Sequence, residues 1–70
     1  MTTHRTGAIL AIGDELILGQ KTDTNTAWIA DQLTARSLRV LEHVTVDDDQ
    51  TLIAEAMRRL AHRADLLICT

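Results

Sequence analysis

The sequence contains no proline, phenylalanine or tyrosine, and it has one tryptophan, Trp28, and one cysteine, Cys69, in 70 residues. A single cysteine cannot staple the fold through an intrachain disulfide, and one cysteine with three scattered histidines gives no zinc signature. One aromatic side chain makes no stacking platform for single-stranded nucleic acid. Seven basic residues face ten acidic ones, for a net charge of −3, and only Arg58 and Arg59 are adjacent. There is thus no basic stripe to track a phosphate backbone, and a nucleic-acid partner is not expected. No apolar run approaches the ~20 residues of a membrane span, so no membrane association is expected. Residues 1–7 are polar and lack the apolar core of a signal peptide; they read as a flexible leader before a domain over residues 8–70. No serine or cysteine nucleophile elbow is present.

What remains is ordinary globular material, 46% hydrophobic and 24% charged, which argues against disorder. A chain of this length buries only about 60% of its unfolded surface, so its stability is marginal. Cys69 lies in the apolar run Leu66-Leu67-Ile68-Cys69 and reads as a small buried hydrophobe. An unpaired cysteine also suits a reducing cytosol, and a cytoplasmic location is expected.

Apolar runs alternate with amphipathic ones. Residues 8–12, Ala-Ile-Leu-Ala-Ile, form a short continuous apolar stretch ended by Gly13, as in a strand covered on both faces. Residues 38–46 are rich in β-branched side chains and read as a second strand, and residues 66–69, opened by Asp65, as a third. Residues 25–36 read as a helix capped by Thr24 or Asn25, with Ile29, Ala30 and Leu33 as its apolar stripe. Residues 49–63 read as a clearer helix, with Ile53, Ala56, Met57, Leu60 and Ala64 on one face. The order β-α-β-α-β predicts an α/β fold with parallel strands joined by right-handed crossovers. In such sheets ligands bind beyond the carboxyl ends of the strands. That rule singles out the loop over residues 13–24 and the run Asp47-Asp48-Asp49.

The first loop is long for a βα connection, usually ~2–6 residues. Its glycines, Gly13 and Gly19, let a backbone approach a ligand closely. Thr24, Asn25 and the helix start behind them offer N–H groups to a phosphate. Asp14, Glu15 and Asp23 are of the type that holds a hard cation such as Mg2+ beside phosphate oxygens. The same residues also read as a capped helix start (Asp23, Thr24) and a solvated turn (Asp14, Glu15). Asp47-Asp48-Asp49 likewise fits either an electrostatically favoured helix start or, beside the first loop, a metal–phosphate site. His43, on the second strand, and His62, on a solvated helix face, read as structural. Trp28 reads as core packing or as a contact between domains or subunits.

The stretch Gly13-Asp14-Glu15-Leu16-Ile17-Leu18-Gly19, followed by Asp23-Thr24-Asn25, resembles the signature of molybdopterin-binding domains of the CinA (competence/damage-inducible) type. The same domain occurs fused to FAD synthetases and, more distantly, in molybdenum-cofactor biosynthesis proteins. The resemblance extends over nearly the whole chain from Ala8. It implies a three-layer α/β/α domain that binds a phosphorylated pterin, molybdopterin included, or a nucleotide. It also implies metal-assisted hydrolysis of a pyrophosphate bond, as in ADP-ribose or FAD, or adenylylation of molybdopterin. Matched residue by residue, Gly13, Asp14, Glu15 and Gly19 fall in the family's first ligand-facing loop, and Asp23, Thr24 and Asn25 at its helix start. Asp48 matches the acidic position after the second strand, whereas Asp47 stands where relatives often carry Gly or Pro. On this resemblance Asp14 and Asp48 are the expected catalytic and Mg2+-binding residues, and Gly13, Glu15, Gly19, Asp23, Thr24 and Asn25 the ligand contacts. The family's Gly-Gly-x-Gly-Pro-Thr-x-Asp loop is expected immediately after Thr70. The chain on its own is therefore expected to be inactive and to fold poorly as a monomer. A non-catalytic truncated piece, acting through oligomerisation or another interaction, is the alternative. The uncovered third strand makes a homo-oligomer the expected state.

Overall fold

The computed structural model describes residues 5–70; the leader expected over residues 1–7 lies outside them up to His4. The elements run β1 (Thr6–Ile12), α1 (Asp14–Ile17), α2 (Thr24–Ala35), β2 (Arg39–Val46), α3 (Gln50–Arg63) and β3 (Leu66–Cys69). Thr6 and Gly7 are therefore strand, not leader. Their backbone is recruited because Thr6 pairs with Arg39 and Gly7 with both Val40 and Leu66, extending β1 below its apolar run.

The sheet is parallel, in the order β2-β1-β3, with β1 in the centre. Ala8, Ile9, Leu10 and Ala11 are buried, as expected of a strand covered on both faces. Right-handed crossovers in this order place α2 and α3 on opposite faces, and the packing agrees. Ala8 and Leu10 form a core cluster with Ala56 and Leu60 of α3, bordered by Ile12, Val44, Val46, Ile53 and Leu67. On the other face Leu33 of α2 is buried, and its Cδ1 lies close over Gly7. The α3 face is further tied by Glu42, whose carboxylate accepts from Arg59 at 2.9 Å and Arg63 at 3.1 Å. At the amino end of the sheet the Asp65 carboxylate accepts from the Thr6 amide at 3.0 Å and the Thr6 hydroxyl at 3.2 Å, pinning the start of β3 to β1.

The α2 C-terminus closes in a Schellman arrangement: the amide of Ser37 donates to the Thr34 carbonyl and that of Leu38 to Leu33. Ser37 takes the left-handed conformation (φ 65°) that this motif requires.

Two burial expectations are corrected. Cys69 is exposed, because β3 lies at the edge of this sheet and Cys69 sits at its carboxyl end. Met57 is 41% exposed, at the margin of a face whose centre Ala56 and Leu60 fill. Trp28 is 65% exposed beside the open cleft between α2 and Ile68 of β3, so of its two readings core packing is not met among the described residues, and the contact between domains or subunits stays open.

Candidate functional site

The carboxyl ends of all three strands converge where the rule for parallel sheets places a ligand. The Gly13 amide donates to the Val46 carbonyl at 3.0 Å and the Ile12 amide to the Thr70 carbonyl at 3.0 Å, so the ends of β2 and β3 flank the end of β1. The expected open loop is partly helical: residues 14–17 form the single turn α1, because the amides of Leu16 and Ile17 turn back to the Gly13 carbonyl. Gly13 itself is extended (φ 163°), a conformation open to any residue. Gly19 differs: its φ of +73° is left-handed, and it allows the chain to double back so that the amides of Gln20 and Lys21 both donate to the Glu15 carbonyl, at 2.9 and 3.2 Å.

This folding divides the expected residues into two groups. On the β2 side, the Asp48 amide donates to Asp14 Oδ1 at 3.0 Å, across 34 residues of sequence. Both residues are exposed, so their carboxylates are open to solvent. On the β3 side lies a cavity of about 140 Å³, whose apolar floor is Ala11, Ile12 and Leu16. Its polar wall comprises Glu15, Lys21, Thr22, Asp23, Thr24, Asn25 and Thr70. Of the expected ligand contacts, Glu15, Asp23, Thr24 and Asn25 line this cavity, whereas Gly13, Gly19, Asp14 and Asp48 do not. Nor do Asp14, Glu15 and Asp23 gather into a cation cage: among the described residues no three His, Cys, Asp or Glu side chains are grouped to hold a metal.

The physical reason lies in Asp23. It is the N-cap of α2, as one of the two readings of the loop had it, rather than Thr24 or Asn25, and both of its oxygens are taken by Thr26. One accepts from the Thr26 amide at 2.9 Å and the other from the Thr26 hydroxyl. The Thr26 hydroxyl and then the Thr26 amide hold its carboxyl below the usual range against the opposing effect of burial, with lesser help from the Asn25 amide and His43. A carboxylate so committed occupies the positive helix start that an incoming phosphate would otherwise find vacant. Asp49 caps α3 in the same way, accepting from the Leu52 amide at 3.1 Å. Of the Asp47-Asp48-Asp49 run, Asp49 serves the helix and Asp48 reaches the first loop.

The reading of the sequence passed over Lys21, Thr22 and Thr70. Lys21 is the single cationic side chain on the cavity wall. A lysine between a left-handed glycine and a helix cap was the available signal.

Comparison with known proteins agrees with this fold. Residues 8–70 match a family model described as a probable molybdopterin binding domain. A CinA-like protein of Citrifermentans bemidjiense is 48% identical over 63 residues, which cover 90% of this chain and 15% of that protein. A CinA-like protein of Salinibacter ruber is 42% identical over 62 residues, covering 89% and 15%. The chain therefore spans about a seventh of the length of these curated relatives. The crystal structure of CinA from Thermoplasma acidophilum, a protein described as of unknown function, superposes with a TM-score of 0.91 at 26% identity. It covers 97% of this chain and 40% of its own. With the fold, the loop signature and the family match in agreement, the chain belongs to the molybdopterin-binding domain family, and within it to the CinA type.

Proposed function

We propose that the carboxyl edge of this sheet binds a phosphorylated pterin or a nucleotide together with a divalent cation such as Mg2+. The whole protein would use it to hydrolyse a pyrophosphate bond of the ADP-ribose or FAD type. The observation that carries the reading is the hydrogen bond from the Asp48 backbone amide to Asp14 Oδ1, which ties the exposed Asp14 carboxylate to the exposed residue Asp48 beyond two adjacent parallel strands. The donor set fits Mg2+, which is commonly held by one or two carboxylates with the remaining positions filled by water and substrate phosphate. It does not make a cage of protein ligands alone. Asp14 and Asp48 are the residues to hold the cation, whose chemistry is to offset charge on the phosphate oxygens.

The chain's own residues then divide the work. The Asp48 amide fixes the orientation of the Asp14 carboxylate. Thr22, Thr24, Asn25 and Thr70 offer hydroxyl, amide and backbone groups to the ligand, and the Asp23 cap holds the α2 start that presents Thr24 and Asn25. In the reaction a water oxygen bonds to one phosphorus as the bridging P–O bond breaks. The bridging oxygen leaves with the second phosphate, and the water's proton passes to solvent or to a carboxylate of the edge. No helix among the described residues is long and apolar enough to cross a membrane, and a cytoplasmic location goes with this reading.

The test is turnover of ADP-ribose and FAD by the full-length protein with and without Mg2+, with AMP as the product followed. Metal-dependent AMP release that Asp48→Ala removes supports the reading; no release from either substrate counts against it. A second reading, an interaction or oligomerisation piece without catalysis, draws on the open β3 edge, where Leu66 and Cys69 are exposed. The turnover assay separates the two, since only the first requires metal-dependent AMP release.

A further inference from the structure

We infer that Lys21 sets the charge preference of the β1/β3 cavity: its ammonium group is the contact that admits a phosphate there. The inference rests on the phosphate-ligand reading above and goes beyond it by assigning a residue that neither the loop signature nor the carboxylate pair includes.

The cavity wall carries two carboxylates, Glu15 and Asp23, against one cation, Lys21. Asp23 is held ionised and cannot turn away, because Thr26 engages both of its oxygens. The α2 start, which would ordinarily attract an anion, is therefore already partly neutralised. Without Lys21 the described lining residues have only negative charge and neutral dipoles, and they would repel a phosphate. With Lys21 it adds a cation to a lining that also carries threonine hydroxyls and an asparagine amide, the mixture that suits a phosphate ester.

The position of Lys21 is built into the fold. Its amide donates to the Glu15 carbonyl at 3.2 Å, next to that of Gln20 at 2.9 Å, and the Gly19 amide donates to Leu16 at 3.3 Å. Together with the left-handed Gly19, these bonds fold residues 19–21 against the end of α1 and hold the Lys21 backbone beside the cavity. Thr70, at the end of β3, closes the opposite wall, where the Thr70 amide bonds Leu10 and its carbonyl bonds Ile12. The side chain itself is exposed, so its contribution is that of a screened cation, felt most by a ligand that excludes water.

The shared chemistry is a pyrophosphate anion, which a nucleotide or a pterin can each supply. The experiment is calorimetric titration of the full-length protein in Mg2+ with four probes: inorganic pyrophosphate, ADP, a pterin diphosphate and phosphate-free adenosine. The variants are Lys21→Met, Lys21→Arg and Asp48→Ala, with thermal melting of each as a control for folding. Lys21→Met is expected to weaken pyrophosphate and the preferred diphosphate roughly tenfold and to flatten their salt dependence, leaving adenosine unchanged. Lys21→Arg is expected to stay within about threefold of the wild type, since the charge is kept. Whether ADP or the pterin diphosphate shows the larger loss identifies the source of the phosphate. Unchanged diphosphate affinity in Lys21→Met, with loss in Asp48→Ala, overturns the inference and leaves the functional reading standing. An equal loss for adenosine also overturns it, because the effect would then be one of shape. A wild-type protein that binds no diphosphate overturns both.

Discussion

Two connections leave the carboxyl edge of the sheet, and they are built to different ends. The one after β2 spends three residues, all acidic, before α3 begins, and its last, Asp49, caps the helix through the Leu52 amide. The one after β1 spends eleven residues, 13–23, and its last, Asp23, caps α2 through Thr26. In both, the aspartate that touches the helix is structural. What differs is the remainder. The long connection adds a helical turn, a left-handed glycine and a lysine, and these wall a cavity against Thr70. The short one contributes a single amide, that of Asp48, to the Asp14 carboxylate. In these two connections the caps are Asp23 and Asp49, and the acidic residues that are not caps are Asp14, Glu15, Asp47 and Asp48.

The helices launched by the two connections differ as well, and this gives the largest expected effect. Leu60 of α3 is fully buried in a filled cluster, whereas Leu33 of α2 borders the open cleft beside Trp28. Leu60→Ala is expected to cost about 2–5 kcal/mol, and Leu33→Ala less, because its surroundings can relax. Chemical denaturation of both variants in the full-length protein gives the ranking; a larger loss at Leu33 would reverse the picture of the two faces.

Within the connections, Asp48→Ala should lower metal-dependent turnover on the order of 100-fold, about 2.7 kcal/mol. Its effect on the denaturation midpoint should stay small, within about 0.5 kcal/mol, since the side chain is exposed. The caps should behave oppositely. Asp23→Ala and Asp49→Ala each remove an accepted N–H bond at a helix start, with an expected loss of about 1 kcal/mol in stability. For Asp23 the sign of the pH dependence follows from its lowered carboxyl. Its stabilisation is fully present above the unfolded value of about 3.9 and is lost as pH falls through the folded value. The difference between wild type and Asp23→Ala should therefore shrink in melts below about pH 4; a gap that grew on acidification would contradict the cap. The smallest effect is a gain: Ser37→Gly should stabilise by about 0.5–1 kcal/mol, because glycine takes the left-handed turn after α2 without strain.

The sequence announced the order of elements well, because its runs are short, strongly patterned and separated by capping residues. The burial of residues 8–11 and of Leu33, Ala56 and Leu60 follows directly from that pattern. It announced α1 poorly, since a four-residue turn leaves no periodicity to read. Exposure at Cys69 and Trp28 was hidden for a different reason: burial depends on neighbours across the sheet, and an apolar run looks the same at an edge as in the centre. At the site, the meeting of Asp14 and Asp48 was legible from their placement after adjacent strands. The commitment of Asp23 to Thr26 was legible only as one of two readings. Lys21 was not seen, because its place on the cavity wall depends on how Gly19 turns the chain.

The central claim is that Asp14 and Asp48, not the helix caps, form the cation site. It is tested most directly by a crystal structure of the full-length protein grown with Mn2+ and ADP, with the metal located by its anomalous signal. The account predicts one peak within about 2.5 Å of carboxylate oxygens of both Asp14 and Asp48, with Asp23 still bonded to Thr26. A metal held by Asp23 or Asp49, or a nucleotide bound with no metal near Asp14 and Asp48, would contradict it.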